Sequence, residues 1–168
     1  FRTADEIIID EVAYSSKWHA HSVKNKKGVA LERIDPDAAT QDAANWTSAS
    51  ETVGYGTPGY QNSQYKDASS GGATGIEPPV WIEESGSYTV SYLLDRPGYS
   101  CRAFVFNTSG LRVADISNHE LLGISGKITW SGVANNGSPL QTGVYIFYAE
   151  IYHPEGTVKR FKKAFLIR

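Results

Sequence analysis

Val144-Tyr145-Ile146-Phe147-Tyr148-Ala149-Glu150-Ile151-Tyr152, then His153-Pro154-Glu155-Gly156, then Thr157–Ile167 (TVKRFKKAFLI), is the stretch on which the fold turns. Two runs rich in β-branched and aromatic residues, which suit a pleated and half-buried surface, flank four residues that end in glycine. Gly156 supplies the positive φ that a four-residue loop needs. The pattern is a β-hairpin. Working outward, Ile128–Trp130 precedes the turn-rich VANNGSPLQTG, and Tyr99–Phe106 and Leu111–Ile116 flank the turn Asn107-Thr108-Ser109-Gly110. Before them Ser87–Leu94 runs into the turn Asp95-Arg96-Pro97-Gly98. Strands recurring about every 8–12 residues with turns between them describe a β-sandwich, here over residues 80–168.

Composition agrees and sets the limits. Sixteen Gly and seven Pro in 168 residues leave no stretch with a sustained helical period, so the chain reads as all-β. With 40% hydrophobic and 20% charged residues it is neither a disordered tail nor, at a net charge of −2, a basic surface for nucleic acid. No apolar run approaches the ~18 residues that span a bilayer as a helix. One cysteine excludes an internal disulfide and a four-cysteine zinc site. The chain contains no Met and begins FRTADEIIIDEVAY, so Phe1 is not expected to be the native start. A signal peptide is expected upstream, in a larger secreted or cell-surface precursor of the Gram-negative envelope.

The N-terminal part is thinner. Glu6–Ala13 and Val29–Ile34 read as strands, the second stopped by Asp35-Pro36-Asp37, and the stretch from there to residue 65 is mostly irregular. The run KDASSGGATG, with no large apolar side chain, marks a Gly/Ser linker over residues 66–79. Two or three strands in residues 1–65 are too few for an independent sandwich.

Two series of short motifs carry a family resemblance. The first is Ile9-Asp10-Glu11-Val12, Trp18-His19, Lys27-Gly28-Val29, Leu31-Glu32-Arg33-Ile34, Asn45-Trp46-Thr47 and Pro58-Gly59-Tyr60-Gln61-Asn62-Ser63. It resembles the final third of the lamin tail domain of bacterial surface proteins, an Ig-like sandwich of which residues 1–65 would be the incomplete end. The second is Gly126-Lys127-Ile128-Thr129-Trp130-Ser131-Gly132, Asn136-Gly137, Leu140-Gln141-Thr142-Gly143-Val144-Tyr145 and Gly156-Thr157-Val158-Lys159. It resembles the Ig-like C-terminal domain that bacterial surface proteins share with the flagellar hook-capping protein. Both resemblances imply a non-catalytic accessory region for adhesion or display. A carbohydrate-binding module and a C-terminal export or attachment domain are the alternatives. The motif residues are structural on this reading: Gly132, Gly137 and Gly143 at tight turns, Trp130 and Tyr145 in the core, with Trp130 expected between the two sheets. The family's Trp-Asp-Gly is Trp130-Ser131-Gly132 here, and the segment VWIEESG offers only Glu83 and Glu84 where a calcium loop needs several carboxylates, so no metal or cofactor is assigned.

Other candidates are weighed against plainer roles. His19 and His21, if on one strand, would share a face and could chelate a metal, although surface or packing roles outweigh that. Cys101 falls in the alternation Tyr99, Cys101, Ala103, Val105 and reads as a buried, inert thiol. Asp5, Glu6, Asp10 and Glu11 are taken as solvated charge rather than paired catalytic acids. Tyr55, Tyr60 and Tyr65 with Trp46 could form a sugar platform, with packing the commoner explanation. Asn45-Trp46-Thr47 and Asn107-Thr108-Ser109 match the glycosylation acceptor and would stay unmodified in a bacterium. Lys159, Arg160, Lys162 and Lys163 suit an edge strand guarded against pairing. No enzyme is expected. A protein or glycan at the cell surface is the partner class considered, with pairing to a second copy through exposed strands left open.

Overall fold

The structure is a computed structural model that describes residue 8 and residues 10–66 and 74–168. Its strands are β1 (Leu31–Arg33), β2 (Trp46–Ser48), β3 (Gly75–Ile76), β4 (Val80–Ile82), β5 (Ser87–Leu93), β6 (Ser100–Asn107), β7 (Arg112–Leu121), β8 (Ser125–Trp130), β9 (Gly143–Tyr152) and β10 (Val158–Ile167). Among the described residues the only helical pieces are three short 3₁₀ turns, so the chain is all-β.

From β5 onward the strands form two facing antiparallel sheets. One has the order β10-β9-β6-β7. In the other, Tyr88 pairs with both Trp81 and Trp130, and Tyr92 with both Ile76 and Gly126. Thus β8 holds one edge of β5, while β3 and β4 share the opposite edge. Glu77-Pro78-Pro79 interrupts that shared edge, as it must, since proline has no N–H for a central ladder. The expected hairpin is continuous from Val158 opposite Tyr152 to Ile167 opposite Gly143, with Gly156 at φ 91°.

The inward alternation holds. Tyr99, Cys101, Ala103 and Val105 are fully buried against Phe147, Ala149 and Ile151 of β9 and Val90 and Ile128 of the second sheet. Fully burying a Phe-sized side chain contributes about 1.5–3 kcal/mol, and this two-layer core is the main source of stability. The sheet edges are protected differently. β10 carries Lys and Arg along its length, whereas β7 has register breaks beside Cys101, Ala103 and Val105 that bend the edge.

Several expectations are corrected. Trp130 is only half-buried: it sits at the margin of the core, its indole N–H donating to Val133 O at 3.0 Å. Gly143 begins β9 without positive φ, unlike Gly132 at 81° and Gly137 at 83°. Residues 74–79 are not linker, because β3 belongs to the sandwich, Ile76 is buried in its core and Glu77 N donates to Ser91 O at 2.9 Å. Lys66 N donates to Ile34 O at 2.9 Å, so residue 66 belongs to the N-terminal segment. The remaining expected linker, residues 67–73, lies outside the described residues, as do Asp5 and, within the expected Glu6–Ala13 strand, Glu6, Ile7 and Ile9. Residues 10–13 form no strand.

The N-terminal segment contains the two-stranded ribbon β1–β2, with Glu32 opposite Thr47. Asp42 caps the turn Ala43–Asn45 that leads into β2 by accepting from Ala44 N. Asn45 stops β1 by bonding both N and O of Asp35 at 2.8 Å. The short ribbon cannot cover itself, and its segment joins the sandwich through Ser63 and Gln64, which bond Ile124 and Leu122 in the turn between β7 and β8.

Candidate functional site

Two places combine unusual burial with polar chemistry. The first is the seam where residues 10–66 meet the sandwich. Glu32 is 3% exposed, and its carboxylate accepts from Thr57 Oγ1 at 2.6 Å, Ser63 Oγ at 2.7 Å and Gln64 N at 3.1 Å. Gln64 is fully buried, and its amide nitrogen donates to Ser48 O and to Leu122 O at 3.1 Å each. Ile124 N donates to Ser63 O at 2.9 Å, and the Tyr92 hydroxyl lies 3.2 Å from Thr52 Oγ1. A β-carbon on Gly123 would lie 2.5 Å from Ser63 O, so the backbones meet closely. Facing groups of the two parts also repel: Glu120 in β7 is shifted upward by burial and then by the Glu51 carboxylate, against a hydrogen bond from Ser117.

The second place is a cleft of about 630 Å³ at one end of the sandwich, opening between the edge strands β4 and β10. Trp81, Tyr88 and Trp130 are register partners across β4, β5 and β8 and therefore face the same side of the sheet. Their rings touch in series, Trp81 to Tyr88 at 5.1 Å and Tyr88 to Trp130 at 5.5 Å, and Phe165 of β10 meets the Tyr88 ring edge-on at 5.7 Å. Gly132 completes the fit: a β-carbon there would press within 3.2 Å of the Tyr88 ring. The inner rings are packed, but Trp81 at the edge is 41% exposed and lines the cleft with Glu83, Ser131, Leu140 and Arg168.

The residues singled out from the sequence are dispersed. His19 and His21 are not on a strand: His19 follows the 3₁₀ turn Ser16–Trp18, its Nδ1 lies 2.9 Å from Ser48 Oγ, and burial followed by the charge of Lys26 lowers its pKa. His21 lies in a different hollow, beside His153 and Pro97. Trp18 stacks on Trp46 at 6.2 Å, and the Trp46 indole donates to Thr40 O at 2.8 Å, which commits Trp46 to packing. Tyr60 stands alone at 85% exposure. Burial, then hydrogen bonding and charge from Glu51, pushes the Tyr55 phenol up to about 12. Arg33 reaches Ala38 O and pairs with Asp10 at 3.6 Å. Pro58 and Gly59 form the turn that returns Tyr60 N to Thr57 O, and Gly28 turns the chain at φ 80°. Tyr145 is buried as expected, its hydroxyl donating to Gln141 O at 3.0 Å. Cys101 is fully buried and its thiol is pushed up to about 12, chiefly by desolvation, so it is a poor nucleophile at neutral pH.

The basic run at the end of the chain is a strand held in the sheet. Arg160 pairs with Glu150 at 2.9 Å, and Lys159 pairs with Asp95 at 2.9 Å. Asp95 also accepts from the Thr74 hydroxyl, and these contacts, Thr74 first, hold its carboxyl far below the usual range. Among the described residues no group of three or more His, Cys, Asp or Glu is placed to hold a metal ion. Sequence reasoning missed Trp81 and Tyr88 as a pair, because their neighbourhood depends on strand pairing.

No family model matches the chain, and no curated protein matches it. Among solved structures it is similar to FlgD from P. aeruginosa, with 18% identity and a TM-score of 0.40 over 51% of this chain and 65% of that one. It is also similar to PorZ, a surface component of the type-IX secretion system of Porphyromonas gingivalis. There the identity is 17% and the TM-score 0.34, over 62% of this chain and 13% of that one. The chain thus spans just under two thirds of the first protein's length and a small part of the second's.

Proposed function

We propose that the chain is a non-catalytic accessory region of a secreted or cell-surface bacterial protein. In this reading an Ig-like sandwich carries the closing strands of a lamin-tail-type domain for adhesion, spacing or display. The observation that supports it is the seam. A segment with almost no core of its own is joined to the sandwich through a fully buried glutamine that spans Ser48 O and Leu122 O. Direct backbone pairing of Ile124 with Ser63 adds to the joint. Buried polar pairing of this kind fixes one arrangement of two parts, because any other leaves those groups unsatisfied at about 1–3 kcal/mol each. A fixed joint suits a spacer better than a hinge-dependent catalyst.

The test is immunodetection of the native protein in fractionated cells of its source. Recovery in the envelope or the medium is expected, and recovery in the cytosol would overturn the reading. A fusion of residues 80–168 to a reporter separates display from export: if the fusion alone directs the reporter out of the cell, the sandwich is itself an export or attachment domain.

A further inference from the structure

We infer that the cleft beside Trp81 binds a short neutral saccharide. The proposal adds a ligand to the accessory role and does not rest on it, so the location of the protein and its saccharide binding can fail separately. The shape comes first. At about 630 Å³ the cleft lies inside the ~300–1,000 Å³ range of small-molecule sites. It arises because β4 has only three residues, Val80–Ile82, and leaves the space between β4 and β10 unfilled.

The lining chemistry selects the ligand. One wall is the indole of Trp81, held in place by the Tyr88 ring at 5.1 Å, so the surface is rigid before a ligand arrives. Around it are the Glu83 carboxylate, the Ser131 hydroxyl, the Arg168 guanidinium and the phenol of Tyr88. Among the described residues none of these four side chains makes a hydrogen bond or ion pair with the protein, although Tyr88 is 6% exposed. A purely apolar ligand would strip water from these groups without replacing its hydrogen bonds, at a cost. A strongly anionic ligand would meet the Glu83 carboxylate, and nucleic acid requires many more cations than one arginine. A sugar ring offers what the lining asks for: an apolar face of C–H groups to lie on the indole, and a rim of hydroxyls to donate to Glu83 and accept from Arg168, Ser131 and Tyr88.

The experiment uses the whole 168-residue chain with maltohexaose, cellohexaose, chitohexaose and mannohexaose, and a heparin hexasaccharide as the anionic counterpart. Binding is read by tryptophan fluorescence and calorimetry. At least one neutral oligosaccharide should bind saturably. Trp81→Ala should weaken that binding by about tenfold or more, as expected for an aromatic anchor. Because Trp81 is an edge residue, the variant should melt close to wild type. Glu83→Gln and Arg168→Ala, which leave the aromatic row intact, should each weaken binding severalfold, while Tyr60→Ala should leave it unchanged. The proposal is overturned if no neutral oligosaccharide saturates the protein below about 10 mM, tenfold weaker than a millimolar affinity. It is equally overturned if heparin alone binds, if binding survives both Trp81→Ala and Glu83→Gln, or if Tyr60→Ala abolishes it.

Discussion

Replacing Glu32 by alanine should release residues 10–66 from the sandwich without unfolding the sandwich. The carboxylate is 3% exposed and accepts three hydrogen bonds, from Thr57, Ser63 and Gln64 N, at 2.6–3.1 Å. A hydrogen bond to a charged group contributes about 1.5–3 kcal/mol net. Thr57 and Ser63 are only half-buried and can turn toward water once the carboxylate is gone, whereas the buried Gln64 N–H has less freedom. The loss should therefore be about 3–5 kcal/mol, similar to breaking a buried ion pair. Glu32→Gln keeps the shape but turns an amide nitrogen toward one of the donors, and should cost about 1–3 kcal/mol. The assay is native-state hydrogen exchange alongside urea melts. In Glu32→Ala the amides of β1 and β2 should lose protection, while those of β6 and β9 keep theirs, because the Tyr99–Val105 core does not touch the carboxylate. A cost below about 1 kcal/mol, well under any estimate for a buried charged hydrogen bond, would refute the reasoning. So would uniform loss of protection across both sheets, which would show that the seam and the sandwich core form one cooperative unit.

Three further outcomes are expected. Trp130→Ala should destabilise the chain by about 2–3 kcal/mol by urea melt, less than the ~3–5 kcal/mol of a fully buried aromatic, since the indole is only partly buried at the margin of the core. Glu120→Gln should raise the melting temperature at neutral pH. Burial and Glu51 raise the Glu120 pKa above its ordinary value in the fold, so folding takes up a proton and stability falls as pH rises through that window. The gain from the substitution should shrink as pH drops below the ordinary carboxylate range, and a gain independent of pH would show that charge is not the cause. A peptide of residues 1–66 should be unfolded by circular dichroism, because among its described residues the two strands of three residues each lack the surface they lean on; a cooperative melt would count against the seam.

How legible each element is in the sequence depends on how local its signal is. β5 and β9 match their expected ranges within a residue because their apolar and aromatic runs are bounded by turns, and the inward row Tyr99 to Val105 comes from period two alone. β7 and β8 run further than their apolar cores suggest. Ser117-Asn118-His119-Glu120 and Ser125-Gly126-Lys127 carry little strand preference of their own and are drawn into the sheets by pairing with β6 and β5. This is the ordinary way in which tertiary contact overrides propensity. β3 and β4 were hidden for a related reason. A Gly/Ser-rich approach and a proline pair read as linker, and VWIEESG as a loop entering the first strand, yet each strand is short enough to be held entirely by β5.

The same non-locality concealed the cleft. Trp130 is far in sequence from the Trp81–Tyr88 hairpin, and only the register of three strands makes the three rings neighbours. The local trace is an indole between Val80 and Ile82, just after Pro78-Pro79, with all three residues of the strand exposed. For a strand meant only to cover a core, that exposure is wasteful, because apolar side chains on a bare edge invite pairing with other chains. The two edges of the facing sheet show what protection looks like: charge along β10 and register breaks along β7. β4 has neither, and keeps its indole over a hollow ringed by polar groups that the protein does not use. A bare indole on this edge, set over a hollow lined by solvated polar groups, is the feature that a ligand lying on Trp81 would cover.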